Sequence, residues 1–184
     1  MSYLSGKCLV AMPGFEDDFF STSLIYICSH TQEGAFGFVI NKAIDNVSFE
    51  DVAKELINVN TNNLKQVNIY KGGPLDKVRG FVLHSTDYMT KDSVAIDEKF
   101  AVSSSLNIIS DIAQEKGPQN NLVVLGYASW SNGQLENEIK NNNWLVIDAD
   151  QELLFKTPDK DKWFKAFSKL GLTPTEISLN YGHA

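Results

Sequence analysis

Two of the three histidines, two glutamates on one short stretch and a glycine pair are the residues of this chain that could do chemistry. His30 and His84 each close an apolar run and are each followed by a small hydroxyl residue, Thr31 and Ser85. A histidine at a strand end can act as a general base, because its ordinary pKa lies near neutrality. Loops at strand ends are also where sites tend to sit. The ordinary structural role, a histidine hydrogen-bonded to backbone at a sheet corner, is the expected one for both. Gly72-Gly73 could present consecutive backbone amides to an anion, although a tight turn explains the pair as well. Glu136 and Glu138 leave different sides of one helix, so they do not read as an acid/base pair. Glu138 shares a face with Gln134. Trp130 could supply an aromatic wall, and Asn41 sits at the end of a strand.

Standard catalytic signatures are missing. Ser129 lies between Ala128 and Trp130 without the flanking glycines of a nucleophile elbow. Gly34 and Gly37 make no dinucleotide fingerprint, and no phosphate-loop Gly-Lys-Ser/Thr occurs. The histidines have no ligand spacing between them, so neither a metal nor another cofactor is expected. The acidic cluster Glu16-Asp17-Asp18 reads as a solvated capping turn. Cys8 and Cys28 lie in apolar runs without CxxC spacing and read as buried free thiols.

These residues must be positioned by a particular set of elements. The central stretch is Leu122 to Trp144. Leu122 to Leu125 reads as a buried strand that breaks at Gly126 into a loop carrying Tyr127 and Trp130. Ser131 and Gln134 have capping-box spacing before a short helix with Leu135 and Ile139 on its apolar face. Glu136 and Lys140 stand at i,i+4.

Upstream, Cys8 to Met12 is a strand, and Phe15 to Phe20 a turn that pins aromatics. Leu24 to Cys28 and Ala35 to Ile40 form a hairpin. In the second of these strands Phe36, Phe38 and Ile40 share one face. Ala35, Gly37 and Val39 share the other, so something packs closely there. Ser48 caps a helix carrying Phe49, Val52, Ala53 and Leu56. Val67 to Tyr70, Gly80 to Leu83, Val94 to Ile96 and Phe100 to Val102 read as strands. Ser104 or Ser105 caps a helix with Leu106, Ile109 and Ala113 in one stripe.

Downstream, Trp144 to Ile147 and Leu153 to Phe155 read as a second hairpin. Thr157-Pro158 opens a helix carrying Trp163, Phe167 and Leu170, which Gly171 stops. Strands outnumber helices and come in hairpin-like pairs. That pattern predicts one α+β domain over 1–184, with a mostly antiparallel sheet, curled toward a barrel, and helices outside it.

The chain has 184 residues, enough to bury a real core, with 43% hydrophobic and 21% charged residues. Its formal net charge of -7 opposes non-specific binding to nucleic acid, which needs basic surface. The first residues lack a secretory pattern and no apolar run is long enough to span a bilayer, so a cytoplasmic protein is expected.

Taken in order, Met12-Pro13-Gly14, His30, Gly34 to Asn41, Gly72-Gly73-Pro74, Arg79 to His84, Leu125-Gly126-Tyr127, Trp130, Gly133 to Glu136, Glu138, Trp144 and Gly182-His183-Ala184 resemble the AlgH/YqgE family of bacterial proteins. The match runs almost end to end. Lys42-Ala43 stands where that family often has Arg-Pro, Ser129 where it often has Gly, and Asp18 where Pro is frequent. The resemblance implies an α+β fold with a bent sheet closed into a pseudo-barrel. It brings the label of transcriptional regulator, with no reaction attached. No helix-turn-helix pattern accompanies that label, and the acidic charge opposes direct DNA binding.

The leading expectation is a non-catalytic regulatory or binding protein acting on a protein partner or sensing a small ligand. The alternative is an enzyme or small-molecule site built from His30, His84, Gly72-Gly73, Trp130 and Glu136, which requires these residues to converge.

Overall fold

A computed structural model describes residues 3–45, 47, 49 and 67–181. Its strands are β1 (Lys7–Ala11), β2 (Leu24–Thr31), β3 (Gly34–Val39), β4 (Ile69–Lys71), β5 (Leu75–Ser85), β6 (Ser93–Ala95), β7 (Phe100–Ser103), β8 (Asn121–Ser131) and β9 (Trp144–Asp148). The helices are α1 (Leu106–Ala113), α2 (Gln134–Lys140), α3 (Asp159–Ser168) and α4 (Pro174–Tyr181). The helix expected after Ser48 and the Asn-rich segment behind it lie outside the described residues.

Among the described residues nine strands join one sheet in the order β6-β7-β5-β8-β3-β2-β1-β9, with β4 alongside β8. Every pairing is antiparallel except β4 with β8. The sheet curls into a half-barrel with the helices against it, which is the expected α+β class. Among the described residues no helix is long and apolar enough to cross a membrane.

Three apolar clusters hold the sheet. The inner face gathers Tyr26, Phe38, Ile40, Phe81, Leu83, Leu122 and Val124 against Trp163, Ala166 and Phe167 of α3. On the outer face at one end, Ile25, Val39, Ala128, Trp130 and Trp144 pack under Leu135 of α2 and the Phe15, Phe19 and Phe20 turn. At the other end Ile69, Val82 and Val123 pack under Ile108, Ile109 and Ile112 of α1. The β3 alternation is as expected: Phe36, Phe38 and Ile40 face inward, Ala35 and Val39 outward. A Cβ on Gly37 would stand 2.5 Å from the Tyr26 carbonyl oxygen, which explains the small outer face.

Several local expectations are corrected. The strand does not break at Gly126. β8 continues through it to Ser131, so Tyr127 and Trp130 are strand residues. Gly126 sits at φ +74° and changes which side chains face inward. Before it Leu122 and Val124 point inward; after it Tyr127 does, while Ala128 and Trp130 point outward. A single residue in the left-handed region thereby resets the two-residue period.

β5 begins at Leu75, before the expected Gly80. The second expected hairpin does not form. β9 pairs with β1, and Glu152–Lys156 is a π-helical turn. Asp150 Oδ1 accepts the Leu153 amide at 2.7 Å, and Leu153 and Leu154 are both buried, which an alternating strand would not allow. Pro158, one residue later than expected, takes the N-cap position of α3, and Thr157 Oγ1 donates to the Glu152 carbonyl. On α3 the buried residues are Lys162, Trp163, Ala166 and Phe167, while Leu170 is exposed beyond the helix end. On α1 Leu106 is exposed, and Ile108, Ile109, Ile112 and Ala113 make the buried stripe.

Candidate functional site

His30 lies near the end of β2, paired with Ala35 of β3, which in turn pairs with Trp130 of β8. Its ring is buried. Nδ1 accepts the Leu4 amide at 3.1 Å and Nε2 meets Glu136 Oε1 at 3.1 Å. An Nδ1 that accepts must be unprotonated, so the Nε2 proton is the one donated to Glu136. The His30 amide itself donates to Ser5 Oγ at 2.9 Å, and Tyr3 packs edge-on against the ring. Both ring nitrogens therefore hold the N-terminal segment and α2 to the sheet. Glu136 turns to His30, not to Lys140.

Beside this pair, Glu138 gathers three donors. Its Oε2 accepts the Trp130 indole N–H at 2.8 Å and the Trp144 indole N–H at 2.7 Å. Its Oε1 accepts from Gln134 Nε2 at 2.9 Å. Gln134 Oε1 in turn accepts from the Ser131 amide and hydroxyl at 3.0 and 3.1 Å. Half of the expected capping box is realised here: Gln134 reaches back, but Ser131 donates to that side chain and does not cap the helix. Gly133, at φ +73°, occupies the N-cap position. One carboxylate thus fastens α2 to β8 and β9 through two nearly buried indoles. The spacing of Gln134 and Glu138 on one helix face signalled part of this arrangement, but the role of Trp144 was not legible in sequence.

His84 sits at the far end of β5, paired with Asn121 at the opposite end of β8. Asn121 and Trp130 are nine residues apart on β8, roughly 30 Å of strand at the usual rise. The two histidines do not converge. His84 is fully buried; Nδ1 donates to the Ser85 carbonyl at 3.0 Å, and Ser103 Oγ donates to Nε2 at 2.9 Å. Ser103 continues to Ser93 at 2.8 Å, and Ser93 to Thr90 at 3.1 Å. Burial pushes the imidazole pKa down, against the opposing pull of the Ser85 carbonyl and Asp87. Ser103 and His84 have a nucleophile-base geometry, yet both are enclosed. A shallow cleft of about 390 Å³, lined by Ser85, Asp87, Gln119 and Asn120 among others, does not include the imidazole.

The remaining candidates are also occupied. Gly72 and Gly73 are buried against the bend of β8. The Gly72 amide donates to the Leu125 carbonyl at 2.8 Å, and a Cβ on Gly73 would stand 1.9 Å from the Tyr127 carbonyl carbon. Close backbone approach accounts for the pair, with the Gly72 amide taken by backbone. Asn41 Oδ1 accepts the Leu24 amide at 2.8 Å while its Nδ2 donates to the Thr22 carbonyl at 2.9 Å. Lys42 Nζ donates to the carbonyls of Phe19 and Ser21, and burial pushes its pKa down. In the acidic turn Asp17 Oδ1 accepts the Phe19 and Phe20 amides, the capping role expected of it. No cluster of three or more metal-ligating side chains occurs among the described residues. Both cysteines are free thiols, and burial pushes the Cys8 pKa up to about 12.

The half-barrel sheet, the Trp130–Glu138–Trp144 clamp and the glycine contacts against β8 make this a small α+β protein with a built-in aromatic corner. The AlgH-like family, DUF179, matches residues 8–175, and the chain belongs to that family. It is 43% identical over 182 residues to a UPF0301 protein of Rhodospirillum rubrum, covering 99% of this chain and 95% of the relative. A UPF0301 protein of Jannaschia sp. is 42% identical over 183 residues, covering 98% and 95%. The solution structure of the AlgH protein from Pseudomonas aeruginosa superposes with a TM-score of 0.78 at 34% identity, covering 100% of this chain and 97% of that one. A crystal structure of a Corynebacterium diphtheriae protein shares the fold with a TM-score of 0.73 at 22% identity, covering 92% and 88%.

Proposed function

We propose that this chain is a non-catalytic cytoplasmic regulatory or binding protein that works through a protein partner. The observation that carries this reading is the internal use of its chemically capable side chains. His30 and His84 each engage both ring nitrogens, and Glu138 engages both carboxylate oxygens. A catalytic base needs a lone pair it can turn to substrate, and a general acid/base pair needs two groups at one place. Here the groups are spent on holding elements together, His30 and Glu138 beside one end of β8 and His84 beside the other. Direct duplex binding is not part of the reading, because a net charge of -7 works against phosphate neutralisation.

The test joins two measurements on the purified chain. Native mass spectrometry followed by denaturing analysis is expected to give the bare chain mass, and affinity capture from lysate of the source cell a reproducible stoichiometric protein partner. An extra mass lost on denaturation, or turnover abolished by Glu136→Gln, would replace this reading with a small-molecule site.

A further inference from the structure

We propose that the bulge of β5 and the aromatic cluster beside it form a docking site for an acidic peptide segment, Arg79 taking a carboxylate and Phe36, Phe81 and Tyr127 the adjoining apolar side chain. This rests on the protein-partner reading above and names the chemistry of that partner. Arg79 is the single arginine of a chain whose net charge is -7.

The geometry starts from the register. Leu75 pairs with Tyr127 and Gly80 with Leu125, so β5 spends five steps where β8 spends two. Asp76 to Arg79 therefore form a wide bulge beside the bend of β8, with Asp76 held at φ +42° and Lys77 Cα 3.3 Å from where a Cβ on Gly126 would stand. Everything from Leu75 to Gly80 is exposed, Val78 to 89%. Val78 and Leu75 are the two large apolar side chains this segment exposes.

Arg79 lies over the Phe81 ring, 5.1 Å from its centroid. A guanidinium held over a ring by cation–π attraction still has N–H groups for a carboxylate, which it can bind with two parallel hydrogen bonds. Among the described residues Arg79 has no carboxylate or carbonyl partner. Phe81 sits in a ring cluster with Phe36 at 5.8 Å and Tyr127 at 6.1 Å, and Phe36 and Tyr127 are 5.1 Å apart. Phe36 and Tyr127 are only half-buried, so the cluster reaches the surface beside Arg79. Exposed Lys77 adds a second cation to Arg79 against the one carboxylate of Asp76 on the same bulge. Arginine and aromatic rings together are the residues that carry binding energy at protein interfaces. A peptide fits better than a small phosphate compound because exposed Leu75 and Val78 extend the apolar contact beyond a single anion.

The probe is a fluorescein-labelled peptide alternating Glu with Leu and Phe, compared with the same peptide carrying Gln for Glu, read by anisotropy and by aromatic NMR shifts. The full chain is expected to bind the Glu peptide, to shift Phe36, Phe81 and Tyr127, and to bind the Gln peptide at least tenfold more weakly. Arg79→Gln should weaken the Glu peptide tenfold or more and Arg79→Lys several-fold, because lysine keeps the charge and loses the fork. Val78→Asp should weaken it, and Lys140→Gln should leave it unchanged. Equal binding of the two peptides, an Arg79→Gln chain that binds like the parent, shifts confined to other residues, or occupancy by inorganic phosphate alone would each overturn the site. A cellular partner captured equally by the parent and by Arg79→Gln overturns this docking site and leaves the protein-partner reading standing. Failure to capture any partner with the parent chain removes that reading itself.

Discussion

Glu138 and Trp144 are joined by a 2.7 Å hydrogen bond from the indole N–H to Oε2, and the same oxygen accepts the Trp130 indole at 2.8 Å. Two side chains that bury most of their rings in the outer cluster thus hand their single polar atoms to one carboxylate on α2. The indoles are 3% and 4% exposed, so neither N–H has water to fall back on.

Glu138→Ala is therefore expected to be among the costlier substitutions outside the apolar core. It leaves two enclosed indole donors unpaired, at about 1–3 kcal/mol each. Thermal unfolding should show the loss, and tryptophan emission should change because both indoles lose their acceptor. Glu138→Gln should cost less, since the amide oxygen still accepts one donor. Unchanged melting of the alanine variant would mean the clamp contributes nothing to stability.

Gly126 and Gly133 have nearly the same backbone, φ +74° and +73°, yet should respond differently to alanine. A Cβ on Gly126 would stand 2.8 Å from the carbonyl oxygens of Gly73 and Leu75, whereas one on Gly133 meets nothing within 4 Å. Gly133→Ala should cost only the left-handed penalty of about 1–2 kcal/mol. Gly126→Ala should cost clearly more, because the strand contacts that set the β8 bend must open as well. Equal losses in denaturant titrations would separate the β8 bend from the Gly73 and Leu75 contacts.

The buried imidazole of His84 makes stability depend on pH. Burial holds its folded pKa below the unfolded value of about 6.5. The unfolded chain therefore takes up a proton first as pH falls. The His84 contribution is fully present above pH about 6.5 and is lost progressively below it, toward the lower folded pKa. Melting temperature should decline from pH 7 to 5.5, and His84→Gln should flatten that decline while lowering stability throughout. Asp87, held by Ser85 and the Gln119 amide, and Asp150, paired with Lys169, have pKa values held down, so their contribution is present above the unfolded carboxylate pKa of about 3.9 and is lost as pH falls below it.

His30 should carry its proton on Nε2 when neutral, because Nδ1 accepts the Leu4 amide. Nitrogen NMR at pH 8 reads the tautomer directly. His30→Phe should remove the hydrogen-exchange protection of the Leu4 amide while leaving β2 and β3 protected. An Nδ1–H tautomer would contradict this geometry.

Lys162 is buried on α3, donating to the Ile40 carbonyl at 2.8 Å and paired with Asp159 at 3.0 Å. Burial pushes its pKa down. Lys162→Ala leaves a cavity and an unpaired enclosed carbonyl, an expected loss of about 2–4 kcal/mol in chemical denaturation. A loss below 1 kcal/mol would mean that α3 docks through Trp163 and Phe167 alone.

By itself the sequence determined what short-range physics can determine. The alternation of Phe36, Phe38 and Ile40 against Ala35, Gly37 and Val39 specified β3 and both its faces. The Trp163 and Phe167 spacing specified the apolar stripe of α3, and the order of motifs specified the family. It could not say that β8 runs on through Gly126. A glycine in the left-handed region ends one strand and bends another, and only the backbones of Gly73 and Leu75 beside it decide which. It also misread Leu153 to Phe155, where three apolar residues in a row carry no period and the Asp150 cap selects a helical turn. Only tertiary structure brought His30 to Glu136, across 106 positions, and placed His84, on β5, beside the opposite end of β8. Side-chain chemistry is written locally, but which groups meet is decided by strand register, and register is a property of the closed sheet.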